Sequence, residues 1–482
     1  MSDSASEISR LTDFSDRVSP MLVKELRQGM RTNLFTIAFI LLQAFMVLCV
    51  LIGAAAPGDS GAVAGFFWFF VIVALQIVMP IRGFGALNAE IQLNTMDLIH
   101  LTELGAWRIT FGKWAALIAQ TLLLVCGILP YLVMRYFFGG VDLAAELLTL
   151  FWVVVLSMLL TAITVGFSAF RSVLLRVTVI AGIVIGALIV QSEVSSFVRM
   201  LTSPASSGLS APIIGWSMAG TLFAALYVMW FMLDLGASRI APEADNHSTR
   251  KRLVALVFGC AVLLLPLAGV EATACLIIVG VIWMLVSLDA LTERPVLLPS
   301  ILRPFARRWY LRPWALLFAP GWHTGVFFFL LCLAIYSGAI GVAEWMGTGS
   351  TMALKDYQIL VSAATAVVFP LLIIHLFFRR LMSPAEIFGI YLLIQVCSGV
   401  VAFFLMIMAN ESPVSKDAYL LAPIPLTTFF AAMEGHAELA LIGCAGAFGI
   451  IAVLVTLYRG LPLYRDSIRM LRALRATDRR TS

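Results

Sequence analysis

Apolar positions along this chain do not recur every second residue or every third to fourth; they run together. Continuous apolar runs occupy about 34–56, 62–80, 110–133, 145–170, 173–191 and 212–234 in the first half. The second half has runs at about 253–270, 272–291, 322–343, 358–378, 385–408 and 438–458. Each is near the length that a helix rising about 1.5 Å per residue needs to cross about 30 Å of hydrocarbon. Barrel strands would alternate with period 2, and these runs do not. The expected fold is therefore all-α, a polytopic transmembrane helical bundle of about twelve spans. Very short connections within 145–191 and 253–291 leave a bent hairpin as the alternative in each place.

The polar positions between the runs supply an orientation. With the N-terminus inside and twelve alternating spans, all but four of the 32 Lys and Arg residues fall on the inside; the four are Arg135, Arg199, Lys355 and Lys416. A missed or extra span would scramble that partition from its position onward, so both termini are expected in the cytoplasm, beneath a plasma or inner membrane. Composition agrees. Hydrophobic residues make up 61% and charged residues 12% of the chain, against roughly 45–50% and about 25% in soluble domains. The net charge of +5 lies beside membrane, where anionic headgroups attract it, and gives no reason to expect nucleic acid. Residues 1–19 carry no cleavable signal and, being rich in Ser and Asp, are expected to form a disordered leader.

Missing motifs narrow the chemistry. The pair Gly112-Lys113 is followed by Trp114 and lacks the spaced glycine of a P-loop, so the chain is not expected to hydrolyse nucleotide itself. No His-Glu-x-x-His, Gly-x-Ser-x-Gly or paired-cysteine set occurs; no catalytic residue, cofactor or metal site is expected, and the chain is not read as an enzyme. Cys49, Cys126, Cys260, Cys275, Cys332, Cys397 and Cys444 all fall inside apolar runs and read as small packing residues. His323 starts the ninth run, and His375, one turn from Arg379, reads as an interfacial or packing histidine. Ion-coupled carriers keep charge at mid-membrane. Here the acids Glu146, Asp234, Glu271, Asp289, Glu344, Glu386 and Glu438 sit at run ends. Gln43, Gln76, Gln120 and Gln395 supply the deeper polarity, as amides that bond helix to helix. A proton-driven carrier is disfavoured.

Two inside segments are informative. Residues 20–33 predict an amphipathic helix, with Leu22, Val23, Leu26 and Met30 on one side and Lys24, Arg27, Gln28 and Arg31 on the other. Residues 88–104 hold about four helical turns, with apolar Leu93, Met96, Leu98, Ile99 and Leu101 beside acidic Glu90, Asp97 and Glu103. Acids on the basic face of a membrane protein suit a protein partner better than lipid. Gly105 then breaks the helix, and Trp107 and Trp114 flank Arg108 and Lys113 as an interfacial anchor.

Pro20-x3-Lys24-Glu25-Leu-Arg27-Gln-Gly29-x-Arg31, followed by Glu90, Thr95-Met-Asp97-Leu-Ile, Leu101-Thr-Glu103-Leu, Trp107, Ile109 and Gly112-Lys113, resembles the membrane subunits of type-2 ABC exporters. The resemblance covers roughly 18–240. It implies a cytoplasmic elbow helix carrying Lys24, Glu25, Arg27 and Arg31. It also implies a coupling segment, 81–114, in which Glu90, Thr95, Asp97 and Glu103 contact or order a partner ATP-binding subunit. The loop 192–211 would hold short external helices.

The second half departs from that pattern. The chain divides on this reading into a first six-span module (34–240), a second (241–460) and a basic cytoplasmic tail helix (461–482) lying in the interface, with Arg465, Arg469 and Arg472 opposite Met470, Leu471 and Leu474. The segment 293–320 holds the place of 81–114 but is basic and lacks its Glu/Thr signature. Whether the second module is a diverged repeat or an unrelated appendage stays open. The resemblance implies the permease subunit of an ATP-driven exporter, working with a separate ATPase and compatible with a second permease chain. The alternatives are a stand-alone twelve-span secondary transporter and a non-transport membrane scaffold.

Overall fold

A computed structural model describes residues 20–55, 60–88, 91, 105–137, 142–170, 175–183, 211–268, 270–347, 353–378, 387–411, 424–434 and 439–481. All regular structure in them is helical, and the chain separates into two compact units, Met1–Ala241 and Pro242–Ser482.

In the first unit, the elbow helix α1 (Pro20–Met30) precedes α2 (Asn33–Ala55) and α3 (Ser60–Ile72). A π-helical turn, Val73–Val78, joins α3 to the short α4 (Met79–Arg82); α5 (Ala106–Phe137), α6 (Leu143–Ser168) and α7 (Ala211–Ile240) follow. Proline explains the π turn: Pro80 has no N–H for the carbonyl four residues back, and its ring crowds that turn. The widened turn frees the Leu75 carbonyl, which accepts from the Ser157 hydroxyl of α6. Such side chains re-satisfy a backbone that water cannot reach. The core of this unit gathers Leu42, Met46, Phe67, Leu75, Leu124 and Ile128 from α2, α3, α5 and the π turn.

The second unit comprises α8 (His247–Leu264), α9 (Ala272–Thr292), α10 (Pro299–Arg307), α11 (Arg312–Phe318), α12 (Trp322–Trp345), α13 (Ala353–Ile373), α14 (Ile387–Glu411), α15 (Pro425–Glu434) and α16 (Leu439–Thr481). Tyrosine hydroxyls fasten neighbouring helices. Tyr336 donates to the Leu276 carbonyl at 3.0 Å, Tyr391 to Val367 at 2.6 Å and Tyr464 to His323 at 2.6 Å. Apolar burial contributes little between helices already in hydrocarbon, so such bonds and close backbone contact carry the packing.

Close contact is set by glycine at one comparable crossing in each unit. The last helix of the first unit, α7, lies along α6 and α5; that of the second, α16, lies along α13 and α12. A Cβ on Gly166 of α6 would stand 2.3 Å from the Met232 carbonyl oxygen of α7. One on Gly449 of α16 would stand 2.3 Å from Cγ2 of Thr365 on α13.

Among the described residues ten helices are long and apolar enough to cross a membrane, two fewer than the twelve runs suggest. The run 253–270 belongs to α8, which starts six residues earlier and carries Arg250, Lys251 and Arg252 in its first turns. Its apolar part then ends in a 3-10 turn, Leu265–Ala268. Of the run 173–191, the helical stretch 175–183 is described and the rest lies outside the described residues, as do the leader 1–19 and the loop 192–210.

Two further expectations change. The sixth run of the second half and the basic tail form one 43-residue helix, α16, with Pro462 inside it. The apolar face of the tail is covered by protein: Leu471, with Met470 and Leu474 beside it, packs against Leu302 and Ala306 of α10 and Ala315 of α11, leaving Arg465, Arg469 and Arg472 exposed. Cys126, Cys397 and Cys444 are exposed on their helices and do not pack internally, whereas Cys49, Cys275 and Cys332 are buried.

Gly166→Leu should destabilise the protein by about 1–3 kcal/mol through overpacking against α7. Gly338→Ala, with nothing within 4 Å of the new methyl, should leave stability unchanged or slightly raised. Thermal unfolding of both variants in one detergent checks the pair.

Candidate functional site

The first unit ties its two sequence patches together. Proline fits the first turn of α1 because no intrahelical partner awaits its missing N–H. One turn further, the Glu25 carboxylate accepts from Lys113 Nζ of α5 at 3.0 Å, and the lysine side chain is only 5% exposed. Lys113 is therefore not the interfacial anchor its tryptophan neighbours suggest; the elbow covers it. Gly29 permits the approach: a Cβ there would stand 2.2 Å from Nε2 of Gln120 on α5. The Gly29 carbonyl, at the end of α1, accepts from Arg82 Nη2 at 3.1 Å and from the Thr32 hydroxyl at 2.7 Å. Arg82 also donates to Thr32 Oγ1 at 3.1 Å, and its guanidinium lies 5.4 Å from the Phe35 ring centroid. Lys24, Arg27 and Arg31 are exposed.

Glu90, Thr95, Asp97 and Glu103 lie outside the described residues, but both flanks of their segment are described. On the near side, Leu87 N donates to Ser168 Oγ at 3.2 Å, and the Asn88 side-chain oxygen accepts from Arg176 Nη2 at 2.6 Å. On the far side, Ala106 and Ile109 are buried with Ala237 and Ile240 of α7. Trp114 Nε1 donates to the Met158 carbonyl of α6 at 3.1 Å. The two described flanks thus rest on α6, the stretch 175–183 and α7.

The second unit carries a polar cluster that sequence reasoning missed. Arg252, 1% exposed, lies in the second turn of α8. Its Nη1 donates to the Leu317 and Ala319 carbonyls at 3.0 and 2.9 Å and to Thr324 Oγ1 at 2.9 Å. Its Nη2 donates to Glu293 Oε2 at 2.8 Å and to the Gly321 carbonyl at 3.1 Å. A planar guanidinium with five N–H groups is the side chain able to serve so many acceptors at once. The carboxylate completes the knot: Glu293 also accepts from Gly321 N at 3.3 Å and from the Ser248 hydroxyl. Its backbone carbonyl accepts from Trp322 N at 2.9 Å.

These bonds occupy orphan carbonyls in the last turn of α11 and just past it, and orphan N–H groups at the start of α12. Gly321, at φ +127°, makes the corner, where an added Cβ would stand 2.8 Å from the His323 ring. Beside it, Lys251 pairs with Asp289 of α9. The signal was present in sequence: Asp289 and Glu293 are four apart at a helix end, facing a basic triplet on the adjacent helix. Counting that triplet as topology-setting charge hid it.

His323 and His375 are both buried. His323 has neither ring nitrogen hydrogen-bonded among the described residues and meets the Tyr464 ring edge-on at 5.2 Å, while His375 lies 4.7 Å from the Trp322 ring. Among the described residues no three His, Cys, Asp or Glu side chains are placed to hold a metal. Asp234, taken from sequence as a span-end acid, is wholly buried within α7, because the helix runs on to Ile240. Arg135 and Glu146 pair at 3.2 Å near the opposite end of the first unit from the elbow. What these constellations do chemically is to neutralise buried charge and fix helix ends.

Arg252→Met would strand the Glu293 carboxylate and should cost about 3–5 kcal/mol, the range for breaking a buried pair by removing one partner. In Arg252→Met/Glu293→Gln no uncompensated charge remains, and part of the loss should return; thermal unfolding of the purified variants measures both. Comparison with known proteins finds no match to a protein-family model, to a curated protein or to a solved structure.

Proposed function

We propose that this chain is the membrane permease subunit of an ATP-driven exporter, with both termini cytoplasmic and twelve spans in the plasma or inner membrane. The observation that carries the reading is the docking of the elbow on α5 through Glu25 and Lys113, reinforced by Arg82 on Gly29. The two patches that resemble exporter permeases in sequence are joined by a largely dry ion pair.

On this reading α8 and the run 173–191 supply the two spans beyond the ten. Asp97 and Glu103 face the cytoplasm and meet a separate P-loop ATPase. Closure of that ATPase pushes on residues 89–104. The anchors at Leu87, Asn88, Ala106 and Ile109 pass the displacement to α6 and α7, and the Glu25–Lys113 pair carries the elbow along. The chain contributes the pathway and the partner contributes the hydrolysis. The corresponding segment of the second unit has its apolar face occupied by α16 and its end bolted by Arg252, which favours docking through the first unit. The shared order of helix pairings in the two units supports an internal duplication.

Affinity purification from native membranes in a gentle detergent tests this. A P-loop ATPase should co-purify with the wild-type chain and be lost from Asp97→Lys/Glu103→Lys, while that variant still elutes as a single species. A well-folded wild-type chain that repeatedly brings down no ATPase contradicts the reading and promotes the stand-alone transporter.

A further inference from the structure

At the end of the second unit away from Arg252, the turn between α8 and α9 and the last turns of α12 enclose a cavity of about 310 Å³. No charged, amide or hydroxyl side chain lines it; Cys260, Leu263, Pro266, Cys275, Ile335 and Ala339 are representative of its walls. The Tyr336 hydroxyl bond to the Leu276 carbonyl holds α12 against α9 beside it, so the space is a fixed part of the packing. Leu264, Leu267 and Val342 line the cavity and are also 61%, 66% and 53% exposed. The cavity therefore opens sideways, through exposed apolar side chains that would face lipid with the unit embedded in a bilayer.

Its chemistry selects an occupant. Apolar cavities of about 150 Å³ stay dry and take up apolar ligands, because water finds no partners there. Here the space is larger, no charged, amide or hydroxyl side chain lines it, and in a bilayer it would adjoin hydrocarbon. A polar solute or a lipid headgroup would leave its hydrogen bonds unmade. A protein side chain from outside would have to cross the lipid-facing surface. Methylene groups meet neither objection and restore the dispersion contacts an empty wall lacks.

We propose that this cavity is a binding site for one acyl chain of a membrane lipid, entering through the opening that Leu264, Leu267 and Val342 border. The inference needs only that the unit is embedded in a bilayer, and so it stands or falls separately from the exporter reading.

Reconstitution of the full chain into phosphatidylcholine vesicles doped with phosphatidylcholine bearing a diazirine at the end of one acyl chain tests it. After photolysis, adducts on Leu263, Cys275, Ile335 and Ala339 should exceed several-fold those on Ile37 and Phe223, which are 56% and 62% exposed on helices of the first unit. Ala339→Trp fills the cavity and should abolish the cavity adducts, while adducts at Ile37 and Phe223 persist and report correct insertion. Ala339→Phe serves if the tryptophan variant is not recovered. Cavity adducts no more abundant than those on Ile37 and Phe223, or unchanged by the filling substitution, would overturn the proposal. The wild-type comparison overturns it without any variant.

Discussion

A cation that cannot reach water must find a carboxylate or several carbonyls within reach, and the described helices are arranged around that requirement. Lys113 meets Glu25, Arg135 meets Glu146, Lys251 meets Asp289, and Arg252 meets Glu293 with a ring of carbonyl oxygens. Burying an ion costs several kcal/mol even after relaxation, so each buried cation stands beside a carboxylate, and Arg252 has carbonyl and hydroxyl acceptors as well. The return is positional. Arg252 alone fixes where α8, α9, α11 and α12 end relative to one another, and Lys113 fixes the elbow on α5.

Away from these locks the helices lack a hydrophobic driving force between them if hydrocarbon surrounds them, and the structure turns to other means. Glycine at 166 and 449 lets helix backbones or a short side chain approach closely. Tyr336, Tyr391 and Tyr464 each satisfy a carbonyl on a neighbouring helix. The π turn before Pro80 gives up a regular helical bond, and Ser157 recovers it from α6. Of the interior amides, Gln395 donates to the Ala366 carbonyl, whereas Gln76 has neither amide atom hydrogen-bonded among the described residues and Gln43 Nε2 and Gln120 Oε1 have no partner there, so the expected helix-to-helix bonding is seen for Gln395 and not for Gln76.

Helix number and type were largely legible from run length, because the requirement to satisfy every backbone group inside hydrocarbon leaves few choices. Helix ends were less so. Hydropathy marks where apolar residues stop, yet α8 begins in its basic triplet and α16 runs on through the tail, since a helix continues while its groups find partners. The elbow was legible as amphipathic, but its partner was not: nothing in the sequence says that Glu25 reaches Lys113, 88 residues away. The Arg252 cluster escaped for the same reason, being assembled from four segments that pattern treats one at a time. Glu90, Thr95, Asp97 and Glu103 lie outside the described residues, and their role rests on the resemblance and on the two anchored flanks.

The proposed topology of this multi-pass membrane chain puts both termini, the elbow and the segment 293–320 in the cytoplasm. Labelling by a membrane-impermeant maleimide tests it most directly, using single cysteines in a chain freed of its own seven. Cysteines at Asp142 and Glu271 should react in intact cells. Those at Lys24, Arg308 and Arg472, all exposed, should react only after the membrane is opened. Labelling at Lys24 or Arg308 from outside, with Asp142 protected, would contradict the account.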